Sequence, residues 1–153
     1  MAVGPSELPE LLPVDGIRIA IGSAGIKRVG RKDLVLFELA ENASVAAVFT
    51  LNRFCAAPVH VAREHLGKQM PRYLLVNTGN ANAGTGSRGM LAARQSCKAL
   101  ADLMGCAPEQ VLPFSTGVIG ERLPLEKIEQ ALPSLPELLS EDGWLAAAHG
   151  IMT

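Results

Sequence analysis

Ser115, Thr116 and Gly117 follow the apolar run Val111–Phe114 and precede Val118-Ile119-Gly120-Glu121. A threonine hydroxyl beside a glycine N–H can converge on one developing negative oxygen. Glycine permits the close approach because no Cβ intervenes. That chemistry suits acyl transfer, in which a tetrahedral oxyanion must be held. A plain turn, with its hydroxyls bonding the local backbone, would use the same residues. Composition alone does not separate the two.

Other candidates carry less. Asn77, Asn80 and Asn82, among small residues, can hold a loop over 77–83 through side-chain to backbone bonds and tolerate positive φ. Loop building is favoured there over substrate contact. Gly84-Thr85-Gly86-Ser87-Arg88-Gly89 fits GxGxxG, follows a strand and opens a helix. The dinucleotide fingerprint needs its first glycine at the tight strand-to-helix turn and an acidic residue ending a second strand. Gly84 lies well past the end of the strand at Asn77, and Asp102 falls inside the helix, so a loop entering a helix is the better reading. His60 and His65 lack the i, i+4 metal spacing, no Cys or carboxylate set completes a metal site, and His149 reads as a surface or helix-end residue. There is no GxSxG elbow.

These residues need elements to position them. Strands are expected over 17–25, 33–39, 44–50 and 73–77, with 44–50 apolar on both faces and therefore buried. Val111–Phe114 is a further apolar run. Met90, Ala93, Cys97, Leu100, Ala101 and Met104 share one face of a helix over 87–104, which Gly105 ends. A second helix starts near Pro124 and carries Leu125, Ile128 and Leu132 on one stripe, and Pro133 and Pro136 break it. A third is expected from an N-cap at Ser140, with Glu141 and Asp142 in its first turn. The class is α/β, with mixed α+β layers: an N-terminal arm over 1–15, then a single domain over 16–153.

The 153 residues suffice for one domain with a core. Hydrophobic residues make up 48% but aromatics only 4%, so Val, Leu, Ile and Ala must fill that core. Charged residues are 19%, below the usual share, which suggests burial against a partner chain. A net charge of −1 argues against a nucleic-acid footprint. Cys55, Cys97 and Cys106 form no CxxC pair and read as free buried thiols in a reducing compartment. The first thirteen residues lack the layout of a signal peptide, and no stretch has the length of a membrane span, so a cytoplasmic location is expected.

Five segments occur together and in order: AGIKRVGRKDL (24–34), SVAAVFTLNRFCAAPV (44–59), VNTGNANAGTG (76–86), STGVIGERLP (115–124) and the final HGIMT. In these the chain resembles the bacterial glutamate N-acetyltransferase, or ornithine acetyltransferase, family from about Gly16 to Thr153. The resemblance implies the N-terminal part of that fold, completed by a second chain. It implies an acyltransferase of arginine biosynthesis that moves acetyl from N-acetylornithine to glutamate through an acyl-threonine. Some members are multifunctional and also acetylate glutamate from acetyl-CoA, a co-substrate; no cofactor and no metal are implied. The precursor cuts itself before the threonine of an Ala-Thr-Met-Leu motif. That threonine heads the downstream beta chain and is the nucleophile, and the chains assemble two of each, as an α2β2 heterotetramer.

Carried onto this sequence, the resemblance makes Thr116 and Gly117 the oxyanion hole, with Ser115 a flank. Thr153 becomes a substrate-binding candidate, and Asn77 and Asn80 stand in support of the site. The Ala-Thr-Met-Leu motif does not occur in these residues, so Thr153 is not expected to be the nucleophile, and the chain reads as the front part of a longer one. Two alternatives stay open. One is an aminopeptidase or amidase relative in which water resolves the acyl-enzyme. The other is a non-catalytic binding or assembly module.

Overall fold

The computed structural model describes residues 10–152. Most of the proposed N-terminal arm, and Thr153, lie outside the described residues. Four strands form one mixed sheet in chain order: β1 (Ile17–Gly22), β2 (Leu34–Leu39), β3 (Tyr73–Asn80) and β4 (Val111–Val118). β1 to β3 pair antiparallel and β3 pairs parallel with β4. Antiparallel neighbours accept short links, whereas the parallel pair needs a crossover, here helix α2 (Gly86–Met104). The α/β class is as expected.

Side chains alternate across the sheet and define two layers. Leu34, Leu36, Tyr73, Leu75 and Val111 face a core shared with Val61 of helix α1 (Ala57–Leu66) and with Ala93, Cys97 and Leu100 of α2. Ile128 of helix α3 (Leu125–Ala131) closes the same layer. On the other face, Ile19, Val35 and Val76 meet Ala147 and Trp144 of helix α4 (Trp144–Ile151). Gly143 and Gly150 let α4 lie close, because a Cβ on either would come within 2.8 Å of Ile19 or Val35.

Two expectations need correction, and one helix lies where no element was expected. The stretch 44–50 is not a buried strand: it pairs with no strand and is largely open, with Val48 99% exposed. Its hydrophobicity calls for a covering surface that these residues do not themselves supply. Helix α4 begins at Trp144, after an N-cap at Gly143. Ser140 instead pairs its backbone with Ile19, and its hydroxyl accepts from the Asp142 N–H at 3.2 Å. Helix α1 went unread. Its buried stripe of Ala57, Pro58, Val61, Ala62 and His65 has helical spacing but is short and ends in a histidine. His65 is a core residue whose Nδ1 lies 2.8 Å from the Val111 carbonyl.

Cys55, Cys97 and Cys106 are free, but only Cys97 is fully buried. Burial pushes its thiol up to about 12, so almost no thiolate forms near neutrality. Iodoacetamide at about pH 8 is expected to leave Cys97 unmodified in the native chain and to label it on unfolding. Peptide mass mapping reads the difference, and native labelling of Cys97 would contradict the packing.

Candidate functional site

The Ser115-Thr116-Gly117 triplet is not a turn beyond a strand. It lies inside β4, in register with Asn77, Thr78 and Gly79 of β3, and Asn80 pairs with Val118. The strand β3 likewise runs past Asn77 to Asn80, so part of the expected asparagine loop is strand. The candidate residues therefore sit at the carboxyl ends of two parallel strands, where α/β sheets commonly place ligands.

Hydrogen-bond parity decides what Gly117 can do. In a parallel ladder, the N–H and C=O of one residue both face one neighbour, and those of the next residue face the other way. The Val118 carbonyl accepts from the Ala81 N–H at 2.9 Å, and the Gln110 carbonyl from the Arg72 N–H at 2.8 Å. Even-numbered residues of β4 thus point their peptide groups at β3. The N–H groups of odd-numbered Val111, Ser115 and Gly117 point to the outer edge, which no strand covers. Pro113 falls on the same parity, so its missing donor breaks no ladder bond with β3, and an edge strand tolerates it. Gly117 is exposed with φ +134°, and its N–H has no protein partner among the described residues.

Thr116 is half-buried, and among the described residues its hydroxyl has no protein partner. It lines an apolar groove of about 510 Å³ with Val48, Phe49, Val76, Phe114 and Ile151. Ser115 differs, since its hydroxyl donates to Asn77 Oδ1 at 2.6 Å. Asn77 in turn donates to the Asn80 carbonyl at 2.8 Å. Sequence reasoning did not find this tie, because the partners are 38 residues apart and only strand register joins them.

The remaining asparagines are spent on the backbone. Asn80 Nδ2 donates to the carbonyls of Glu121 and Arg122 at 3.2 and 3.1 Å, holding the segment after β4. Asn80 Oδ1 accepts from the Asn82 N–H at 2.8 Å. Asn82, fully buried with φ 47°, donates to the Gly89 carbonyl at 2.9 Å. A Cβ on Gly89 would fall 2.5 Å from Asn82 Oδ1 and 1.8 Å from Thr85 Oγ1. The last glycine of the GxGxxG pattern therefore serves this packing.

Among the described residues, no group of three His, Cys, Asp or Glu side chains could hold a metal ion. Nor is any helix long and apolar enough to cross a membrane. Perturbed ionisable groups often mark sites, but the strongest carboxyl shift lies elsewhere. Glu64 is lowered to about 2 by its hydrogen bond from Arg94, then by Lys68, on the exposed face joining α1 and α2. Among the described residues the candidate site thus offers a hydroxyl and an N–H without protein partners beside an apolar wall, a set that suits an oxyanion better than proton abstraction.

The ArgJ family profile matches residues 18–153. The arginine biosynthesis bifunctional protein ArgJ of Methylococcus capsulatus is 63% identical over 143 residues, covering 94% of this chain and 35% of that protein. Its counterpart from Pseudomonas syringae pv. tomato is 60% identical over 153 residues, covering 100% of this chain and 38% of that one. The chain thus spans little more than a third of the length of these curated relatives. Among solved structures, ornithine acetyltransferase from Mycobacterium tuberculosis, complexed with ornithine, superposes with a TM-score of 0.85 at 34% identity, over 92% of this chain and 77% of that one. The arginine biosynthesis bifunctional protein of Bacillus halodurans gives 0.83 at 34% identity, over 91% and 73%.

Proposed function

The chain belongs to the ArgJ family, and from that premise we propose that it is the N-terminal chain of an acetyltransferase that moves acetyl from N-acetylornithine to glutamate. The observation that carries the proposal is the carboxyl end of β4, where among the described residues neither the Gly117 N–H nor the hydroxyl of the preceding Thr116 has a protein partner. Two donors side by side on a rigid parallel pair are what an acyl-transfer oxyanion requires.

On this reading a threonine heading the downstream chain attacks the acetyl carbonyl, and its own α-amino group takes the hydroxyl proton. The negative oxygen of the tetrahedral intermediate lies between Thr116 Oγ1 and the Gly117 N–H. Collapse breaks the C–N bond, and the proton held by the α-amine goes to the departing ornithine amine. Glutamate's amine then attacks the acyl-threonine ester, and the same donors hold the second oxyanion. The attacking amine gives a proton to the α-amine, which passes it to the threonine oxygen as the C–O bond breaks, and N-acetylglutamate is released. No cofactor takes part; acetyl-CoA would enter as a second acetyl donor on the same nucleophile.

The groove beside Thr116 supports a partner chain. Its wall includes sheet surface that α4 does not cover, and Val48, which lines it, stands almost wholly exposed. Exposed apolar patches of this kind mark interaction surfaces. The remainder of the precursor is the occupant that the length of the relatives favours, and an α2β2 assembly follows from the family. Thr153, outside the described residues, is proposed as a substrate contact on the family resemblance.

The test is the full precursor, expressed and allowed to mature, then supplied with N-acetylornithine with and without glutamate. N-acetylglutamate forming with ping-pong kinetics is the expected result. Release of free acetate irrespective of glutamate would replace transfer by hydrolysis, and no turnover of either kind would leave the chain a binding module.

A further inference from the structure

A second cleft, of about 340 Å³, opens at the carboxyl ends of β3 and β4, lined in part by Lys27, Arg28, Arg31, Thr78, Gly79 and Gly117. Gly117 lines this cleft and Thr116 lines the apolar groove, so the peptide joining them is the ridge between the two. The oxyanion donors leave its three cations unused.

The loop bearing these cations is built into the fold. Asp33, 2% exposed, accepts from the Ala24 and Ile26 N–H groups, both at 2.6 Å. Its own carbonyl accepts from the Thr78 N–H at 2.9 Å, fastening the loop to β3. Lys127 donates to the Gly25 carbonyl at 2.6 Å from the far side. Lys27 rests directly on β3, because a Cβ on Gly79 would come within 2.9 Å of the Lys27 Cβ.

The charges of the cleft do not balance. Asp33 is its single carboxylate, and both of its oxygens already accept backbone N–H groups. Lys27 reaches Glu121 at 3.3 Å in an exposed pair, and Arg31 holds the Met152 carbonyl. Arg28 has no acidic partner among the described residues. Cations converging on a concave surface next to a reaction centre recruit and orient anions, and a guanidinium does so with two parallel hydrogen bonds.

We propose that Lys27, Arg28 and Arg31 form a subsite for an oxyanion group of a substrate, a carboxylate or a phosphate, with Arg28 its principal ligand. The acyl-transfer reading determines only which substrate brings that group; the subsite itself stands on the cleft. It places the anion on one side of the Thr116–Gly117 ridge and leaves the apolar groove on the other.

The test uses the mature full-length protein and two probes with no transferable acyl group, glutarate and inorganic pyrophosphate, titrated by calorimetry. At least one is expected to bind, and Arg28→Gln to weaken it by about ten- to a hundredfold, the span of a lost charge-assisted hydrogen bond. Arg28→Lys should retain part of the affinity, and Lys32→Gln, a nearby cation outside the cleft, all of it. The tighter probe tells carboxylate from phosphate. Binding of neither probe, or equal losses in Arg28→Gln and Lys32→Gln, would overturn the subsite. Because calorimetry needs no turnover, the result stands apart from whether acetyl transfer is observed.

Discussion

Replacing Thr116 by alanine in the mature full-length protein is expected to lower kcat for acetyl transfer by about 10²–10³, or about 2.7–4 kcal/mol of transition-state stabilisation. The hydroxyl is half-buried and has no protein partner among the described residues, so its removal orphans no buried donor and leaves the sheet as it was. The loss should therefore fall on kcat, with the denaturation midpoint little changed. Thr116→Ser keeps an oxygen on the same Cβ and should retain most of the rate. The two variants together separate an oxyanion donor from a packing residue: a packing role would make serine nearly as damaging as alanine, because both lose the methyl group. Near-native turnover in Thr116→Ala would remove Thr116 from the oxyanion hole.

Gly117→Ala is expected to act on the fold first, with a destabilisation of about 2–6 kcal/mol. Two costs add. An L side chain at φ +134° is held in a region that essentially only glycine occupies, about 1–3 kcal/mol. The new Cβ also falls 2.3 Å from the Gly79 carbonyl carbon and 2.5 Å from the Asn80 nitrogen, and overpacking of this kind costs about 1–3 kcal/mol or more. The atoms met are backbone, so no side chain can swing aside: β3 and β4 must separate at their carboxyl ends. That moves the Gly117 N–H and loosens the Asn77–Ser115 tie together. Urea denaturation followed by circular dichroism measures the loss. A midpoint equal to the parent's would mean that the close approach of the strands is not as described.

The two variants differ because of what each residue would bring to the candidate site. Thr116 would bring a side chain and Gly117 a backbone group, so one can be deleted and the other only displaced. A kinetic test at Gly117 alone would mix lost catalysis with lost structure, which is why the Thr116 pair carries the functional argument.

Much of this was legible in the chain. Short apolar runs marked β1, β2 and the first part of β3, the three- and four-residue steps marked α2, and Gly105 ends that helix with φ 68°. The Ser-Thr-Gly triplet and the ordered segments around it pointed to acyl transfer and to the ArgJ family, whose profile covers nearly the whole chain. The errors share a cause. An apolar run such as 44–50 reads as a buried strand because hydrophobicity is local, whereas burial depends on a partner surface. The buried stripe of helix α1 ends in a polar residue, His65, and only the Val111 carbonyl opposite it makes it a core residue.

Residue types and order by themselves determined the chemistry on offer: a hydroxyl, a glycine N–H and no nucleophile of the chain's own among the family motifs. Tertiary structure alone decided that this N–H is free. That follows from strand order and hydrogen-bond parity, since Gly117 lies on the outward-facing set of an edge strand. It also decided that Ser115 is bound to Asn77 while Thr116 is not, and that a basic loop 90 residues upstream stands beside Gly117. The physical reason is the same each time. Side-chain chemistry is a property of the residue, but which groups remain uncommitted depends on neighbours that only folding brings within bonding distance.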